Sequence, residues 1–156
     1  MVEGEARKNK SRGFYGNYQH SLDAKGRVFV PAKYRDGLGN SFMLTRGWDH
    51  CLVAYSFDEW DKLTESLAYI PFTDREGREF KRILFQQAVE CEMDKQGRIL
   101  INQELRSIAN LSKEVCFLGS LDYVEIWDYE EWKHKYGDAD LRAESMQKYV
   151  FKGSKE

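Results

Sequence analysis

The chain carries one ordered series of residues twice, and this limits its architecture more than any other feature. Asp23, Gly26, Arg27 and Arg35 recur as Asp94, Gly97, Arg98 and Arg106, each displaced by 71 positions. One extra residue later, Gly47 and Trp60 recur as Gly119 and Trp132 at a displacement of 72. Strand, turn, strand, short helix, strand, strand, helix is read in the same order in both halves. Duplicated units of this size stack on a shared core about a pseudo-twofold axis, because neither half buries enough apolar surface alone.

In the first half, runs of β-branched and aromatic residues predict strands over 18–22, 28–30, 42–45 and 51–55. Pro31 stops the second of these, and a short helix over 32–38 ends at Gly39. Ser56 or Asp58 caps a helix bearing Trp60, Leu63 and Leu67. An amphipathic helix from Thr73 to about Ala88, with Phe80, Ile83 and Leu84, is read as a bridge between the repeats. The second half repeats the plan with strands near 91–93, 99–101, 115–118 and 124–127, a short helix over 104–109 and another opening at Glu130. Trp60 and Trp132 are expected as core anchors, whereas Trp48, beside Gly47, suits a contact with a neighbouring subunit. The expected organisation is a flexible extension (1–13), repeat one (17–59), linking helices (60–87), repeat two (88–131), and a helix with a polar tail (132–156) that includes a weak helix over 140–150.

Composition narrows the class. At 42% hydrophobic and 14% aromatic, the chain is too apolar for a disordered polymer. It has no apolar run near the roughly 18 residues of a membrane helix, and its polar first residues lack the apolar core of a signal peptide. Cys51, Cys91 and Cys116 cannot all pair within one chain and form no C-x-x-C, which points to a reducing compartment, the cytosol. The net charge of −2 excludes a simple nucleic-acid-coating protein. Its distribution is uneven: residues 1–36 hold eight bases against four acids (+4), and the remainder 16 against 22 (−6). Such a chain either turns one basic face to a polyanion or carries a basic tail on an ordinary solvated surface.

The stretch Gly16-Asn17-Tyr18-Gln19-His20-Ser21-Leu22-Asp23-Ala24-Lys25-Gly26-Arg27-Val28-Phe29-Val30-Pro31-Ala32-Lys33-Tyr34-Arg35 resembles the start of the MraZ family, within the AbrB-like swapped-hairpin superfamily. Leu44-Thr45-Arg46-Gly47 and Glu90-Cys91-Glu92-Met93-Asp94 fit the same family, and the likeness spans roughly 14–135. The resemblance implies an α+β, β-rich fold of two intertwined AbrB-like repeats (double-psi or swapped-hairpin) with packed short helices. It also implies rings of several copies, an octamer among them. It implies a cytoplasmic, nucleoid-associated repressor that binds repeated double-stranded DNA elements ahead of its own operon, a division and cell-wall gene cluster. Three departures stand out: the extension before Phe14, the tail after Tyr136, and Asn102 where repeat one has Pro31, which predicts a less rigid exit from the second loop.

The turn residues carry the candidate chemistry. In each repeat an Asp and an Arg flank a glycine turn, where the carboxylate can accept backbone N–H bonds or pair with the guanidinium. An ion pair that merely closes a hairpin contributes only about 0–1 kcal/mol, and for Asp94, Gly97 and Arg98 this structural role is preferred. The window 18–36 holds four bases against two acids, while 89–107 holds three against four. Phosphate is drawn to the first. Lys25 and Arg27 are therefore the main candidate DNA contacts, with Asp23 and Gly26 shaping their turn. A two-stranded ribbon fits the major groove, where Arg reads guanine and Lys meets phosphate. Lys33 and Arg35 are secondary candidates, Arg35 being equally suited to a structural partnership because Arg106 recurs. Arg7, Lys8, Lys10 and Arg12 add nonspecific attraction or form a solvated tail.

Catalysis finds little support. His20, His50 and His134 are scattered without metal-ligand spacing. His50-Cys51 would point to opposite faces of a strand, and no phosphate-binding or nucleophile-elbow motif occurs. No cofactor or metal is expected. Two further readings stay open: a protein scaffold acting through the acidic second half, and an AbrB-like antitoxin.

Overall fold

The computed structural model describes residues 12–138 together with Met146, Gln147 and Tyr149. Repeat one supplies β1 (Asn17–Ser21), β2 (Arg27–Phe29), α1 (Ala32–Leu38), β3 (Ser41–Arg46), β4 (Leu52–Tyr55) and α2 (Phe57–Leu67). After α3 (Arg75–Phe85), repeat two supplies β5 (Val89–Glu92), β6 (Arg98–Leu100), α4 (Gln103–Ile108), β7 (Glu114–Gly119), β8 (Val124–Asp128) and α5 (Tyr129–Tyr136). Six strands form one antiparallel sheet in the order β1-β7-β8-β4-β3-β5, and β2 pairs with β6 in a separate ribbon. Exchanging the repeats reverses that order and leaves it unchanged, which is the pseudo-twofold expected of the duplication. The architecture is α+β, β-rich and intertwined.

Each repeat lends its first strand to the other. Asn17–Ser21 runs against Leu118–Glu114, and the equivalent Val89–Glu92 runs against Leu44–Ser41. This corrects the expected hairpin: β1 and β2, joined by the first turn, lie in different sheets. Sequence shows which strands are consecutive, but each partner here comes from the other half. The element free to meet a ligand is thus a turn at a sheet corner, not a two-stranded finger.

The alternation of side chains explains the layers. Val28 and Val30, with Ile99 and Ile101, point inward from the ribbon, while Phe29 and Leu100 point out. The inward four join Tyr34 and Leu38 of α1, Leu105 of α4 and the sheet residues Phe42, Leu44, Leu52, Val115, Phe117, Val124 and Ile126 in one core. Each fully buried aliphatic here contributes about 1.5–3 kcal/mol. On the opposite face of the sheet, Cys51, Cys116 and Trp127 pack with Tyr129 and Trp132 of α5, and Thr45 Oγ1 donates to Leu84 O of α3 at 2.8 Å.

Several expectations change. Trp60 and Trp132 are only half-buried, because α2 and α5 lie on the rim of that second face and bury no side chain fully. The buried tryptophan is Trp127. Helix α3 packs its Phe80 on Trp48 and its Phe85 on Trp60, both in repeat one. Trp48 is 61% exposed despite the stack on Phe80. Most of the expected flexible extension, with Arg7, Lys8 and Lys10, and most of the weak helix over 140–150 lie outside the described residues.

At the second loop exit Asn102 supplies a contact that Pro31 does not. Its Oδ1 accepts from the Leu105 N–H at 2.8 Å and caps α4, whereas Pro31 makes no side-chain cap on α1. The second exit replaces a fixed φ with a capping hydrogen bond. Asn102→Ala is expected to cost about 1 kcal/mol, read as a lower midpoint with unchanged slope in urea unfolding.

Candidate nucleic-acid interface

The two turns are built by the same local chemistry. Asp23 Oδ1 accepts the N–H groups of Lys25 and Arg27 at 2.9 and 2.8 Å, while Oδ2 takes Arg27 Nε at 2.7 Å. Asp94 does the same with Gln96, Arg98 and Arg98 Nε at 2.9, 2.9 and 2.8 Å. Gly26 and Gly97 sit at φ of 86° and 85°, a conformation costly for any residue with a Cβ. The carboxylate therefore acts as the organiser of the turn, and the arginine braces it.

The glycines also admit a neighbour. A Cβ on Gly26 would run into Arg106 Nη1, and one on Gly97 would run into the guanidinium of Arg35. Each repeat's helix arginine thus lies against the other repeat's turn. Backbone bonds fix the same exchange: Ile101 N–H donates to Gly26 O and Val30 N–H to Gly97 O, both at 2.9 Å. At roughly 3.3 Å per residue, the two turn glycines stand roughly 13 Å apart along the antiparallel ribbon.

This geometry divides the sequence candidates. Lys25 is exposed at the first turn and Arg27 stands at its base. Lys33 and Arg35 are not beside them. Helix α1 begins at the second turn, so exposed Lys33 lies at that end with Lys95, while Arg35 covers Gly97 and donates from Nε to Val30 O at 2.9 Å. Of the two roles open to Arg35, this geometry supports the structural partnership. Regrouped in space, the first turn with α4 carries Lys25, Arg27 and Arg106 against Asp23 and Glu104, and the second with α1 carries Lys95, Arg98, Lys33 and Arg35 against Asp94 and Asp36. The charge contrast between the two sequence windows does not survive this regrouping. Arg106 at the first turn was missed because the windows were contiguous, although its recurrence with Arg35 at the same displacement as the turn glycines hinted at a reciprocal partner.

The turns differ in one respect that counts. Arg98 lies over the Phe29 ring at 5.9 Å, and its side chain is 23% exposed against 36% for Arg27. The equivalent cross-strand neighbour of Arg27 is Leu100. The second guanidinium is thus held on an aromatic face, and the first is freer to turn outward.

Elsewhere the chemistry is quiet. Cys51, Cys91 and Cys116 are buried free thiols. Burial pushes Cys91 and Cys116 up to about 11, and burial followed by the Glu125 carboxylate pushes Cys51 up as well, so all three stay protonated at neutral pH. Among the described residues, no grouping of His, Cys, Asp and Glu could hold a metal ion. None of the helices there is long and apolar enough to cross a membrane.

A small duplicated fold with exchanged first strands and two Asp-Gly-Arg corners defines a protein of the swapped-strand class. The model of the family described as "MraZ protein, putative antitoxin-like" matches the chain over 14–83 and again over 84–149. The chain belongs to this family. It is 53% identical to the transcriptional regulator MraZ of Acetivibrio thermocellus over 85% of this chain and 93% of that protein. To the proteins of the same name from Pelotomaculum thermopropionicum and Caldicellulosiruptor saccharolyticus it is 52% and 48% identical, over 81% and 84% of this chain and 87% and 92% of theirs. The name these relatives carry, transcriptional regulator, belongs to a non-enzymatic class.

Two outcomes follow from the turn geometry. The Arg27 backbone N–H, then the Arg27 side chain and the Lys25 N–H, lower the Asp23 carboxyl from 3.8 to about 2 against a smaller opposing effect of burial. Because the folded value lies below the unfolded one, the charged carboxylate stabilises the turn above about 3.8, and this support is lost as pH falls towards 2. The Lys25 and Arg27 amide resonances should titrate with a midpoint near 2; a midpoint near 3.8 would contradict the bonding. Gly26→Ala should lose about 1–3 kcal/mol in thermal or urea unfolding.

Proposed function

We propose that this protein is a DNA-binding transcriptional regulator whose first turn, with Lys25 at its tip and Arg27 at its base, is the principal DNA-contacting element. The observation that carries this reading is the rigid turn itself: one carboxylate fixes two backbone N–H groups and a guanidinium, leaving the Lys25 side chain exposed. The backbone that carries Lys25 is thus fixed before binding, so ordering the loop adds little to the cost of association. The names of the relatives, transcriptional regulators all, support the same reading.

The second turn is assigned mainly to scaffolding. Arg98 is held over Phe29 and is less exposed than Arg27, so it is less free to reach a ligand. Lys33 adds a secondary cation at that end, and Arg35 is assigned to packing. One turn per subunit binds weakly, so the reading includes a ring of copies facing repeated double-stranded DNA elements, where later contacts become intramolecular. It also includes repression of its own promoter, within a division and cell-wall gene cluster, and a cytoplasmic, nucleoid-associated location.

The test is gel-shift titration with the DNA upstream of its own gene, at fixed salt. Lys25→Ala and Arg27→Ala are expected to weaken binding by about tenfold or more, in line with about 1–3 kcal/mol for a good base contact, and Arg98→Ala by clearly less. Equal losses at Arg27 and Arg98 with folding intact would overturn the division between turns. No preference for the upstream DNA would overturn the DNA-binding role and leave the scaffold reading. A solution mass of one subunit would remove the ring.

A further inference from the structure

The surface at the first turn continues into the second repeat. An open groove of about 900 Å³ runs beside it, with Asp23 and Ala24 on one wall and Gln103, Arg106, Ser107 and Lys113 on the other. The walls are fixed to each other. Leu22 N–H donates to Lys113 O at 2.7 Å, and Arg106 lies against Gly26 while its Nη2 donates to Gln103 Oε1 at 2.8 Å.

Of the nearby carboxylates only Asp23 lines the groove, and Arg27 offsets its charge, while Glu114 and Asp128 adjoin it bonded to neutral donors that leave their charge in place. Asp23 is held by Arg27 and the turn N–H groups. Glu114 accepts from Ser21 Oγ at 2.7 Å and Gln19 Nε2 at 3.1 Å, and Asp128 Oδ1 accepts from the N–H and hydroxyl of Ser112. The cations of the lining are Arg106 and exposed Lys113, its neutral polar groups are on Gln103, Ser107, Asn110 and Ser112, and Leu22, Ala24 and Leu111 form its apolar part. The two cations suit a chain of phosphates better than a cationic ligand.

Resting on the DNA-binding reading above, we propose that this groove seats the sugar-phosphate backbone of the duplex beside the site reached by Lys25, with Lys113 of the second repeat as a phosphate contact. DNA recognition at the first turn is then shared between the repeats: one supplies the turn tip and the other the phosphate clamp. A phosphate contact carries no sequence information, so it weakens or strengthens all duplexes alike.

The experiment measures the affinity of the full chain for its upstream DNA and for an unrelated duplex of equal length, from about 50 to 200 mM salt. The variants are Lys113→Ala, Lys113→Glu, Lys25→Ala and the distant control Lys62→Ala. Lys113→Ala should flatten the plot of log affinity against log salt by about 0.9 for each phosphate left without its cation. It should weaken both duplexes by the same factor, Lys113→Glu should weaken them more, and Lys62→Ala should match the parent. A Lys113→Ala slope equal to the parent's, while Lys25→Ala still loses affinity, would overturn the groove proposal and leave the first-turn reading standing. A parent with no salt-dependent affinity for either duplex would overturn that reading itself.

Discussion

The exchange of strands and helix arginines between repeats is the constraint on which the rest depends. Neither repeat holds a complete sheet, since β1 hydrogen-bonds only across to β7 and β5 only across to β3 among the pairings of the six-stranded sheet. Neither turn is complete alone either, because Arg106 fills the space over Gly26 and Arg35 the space over Gly97. Removing one half would leave open strand edges and half a ribbon, so the two repeats fold as one cooperative unit.

Rigidity at the turns follows from that exchange. The Asp carboxylate orders its own loop, but an exposed ion pair of this kind is weak. What anchors the loop is its position: a buried glycine beneath a cross-repeat arginine, bonded on to a strand whose valines and isoleucines are fully inside. Hydrophobic burial thus holds the corner, and electrostatics shapes what projects from it.

Much of this was legible in the chain. The twofold, the element order and the turn residues Asp23, Gly26, Asp94, Gly97 and Arg98 could be read because local chemistry dictates them: β-branched runs, a positive-φ glycine, a carboxylate within reach of two amides. Strand partners could not be read. A strand of three residues such as β2 carries no mark saying whether its neighbour is near in sequence or 71 positions away, so the local hairpin was a natural but mistaken reading. For the same reason a contiguous window groups Lys33 and Arg35 with Lys25, although they lie at the other end of the ribbon. Trp60 and Trp132 misled differently, for their size suits a core, yet short rim helices leave them half in water.

The small difference between the two ends has its own consequence. Two identical ends related by a true twofold would make an object that looks the same from either direction, suited to inverted sequences. Here Arg98 rests on Phe29 while its counterpart Arg27 faces Leu100, and one helix is opened by Pro31 where the other is opened by Asn102. Joining the halves in one chain allows different residues at equivalent positions, and the resulting unit has a front and a back. If copies of it lined a duplex as proposed above, each would point one way along it.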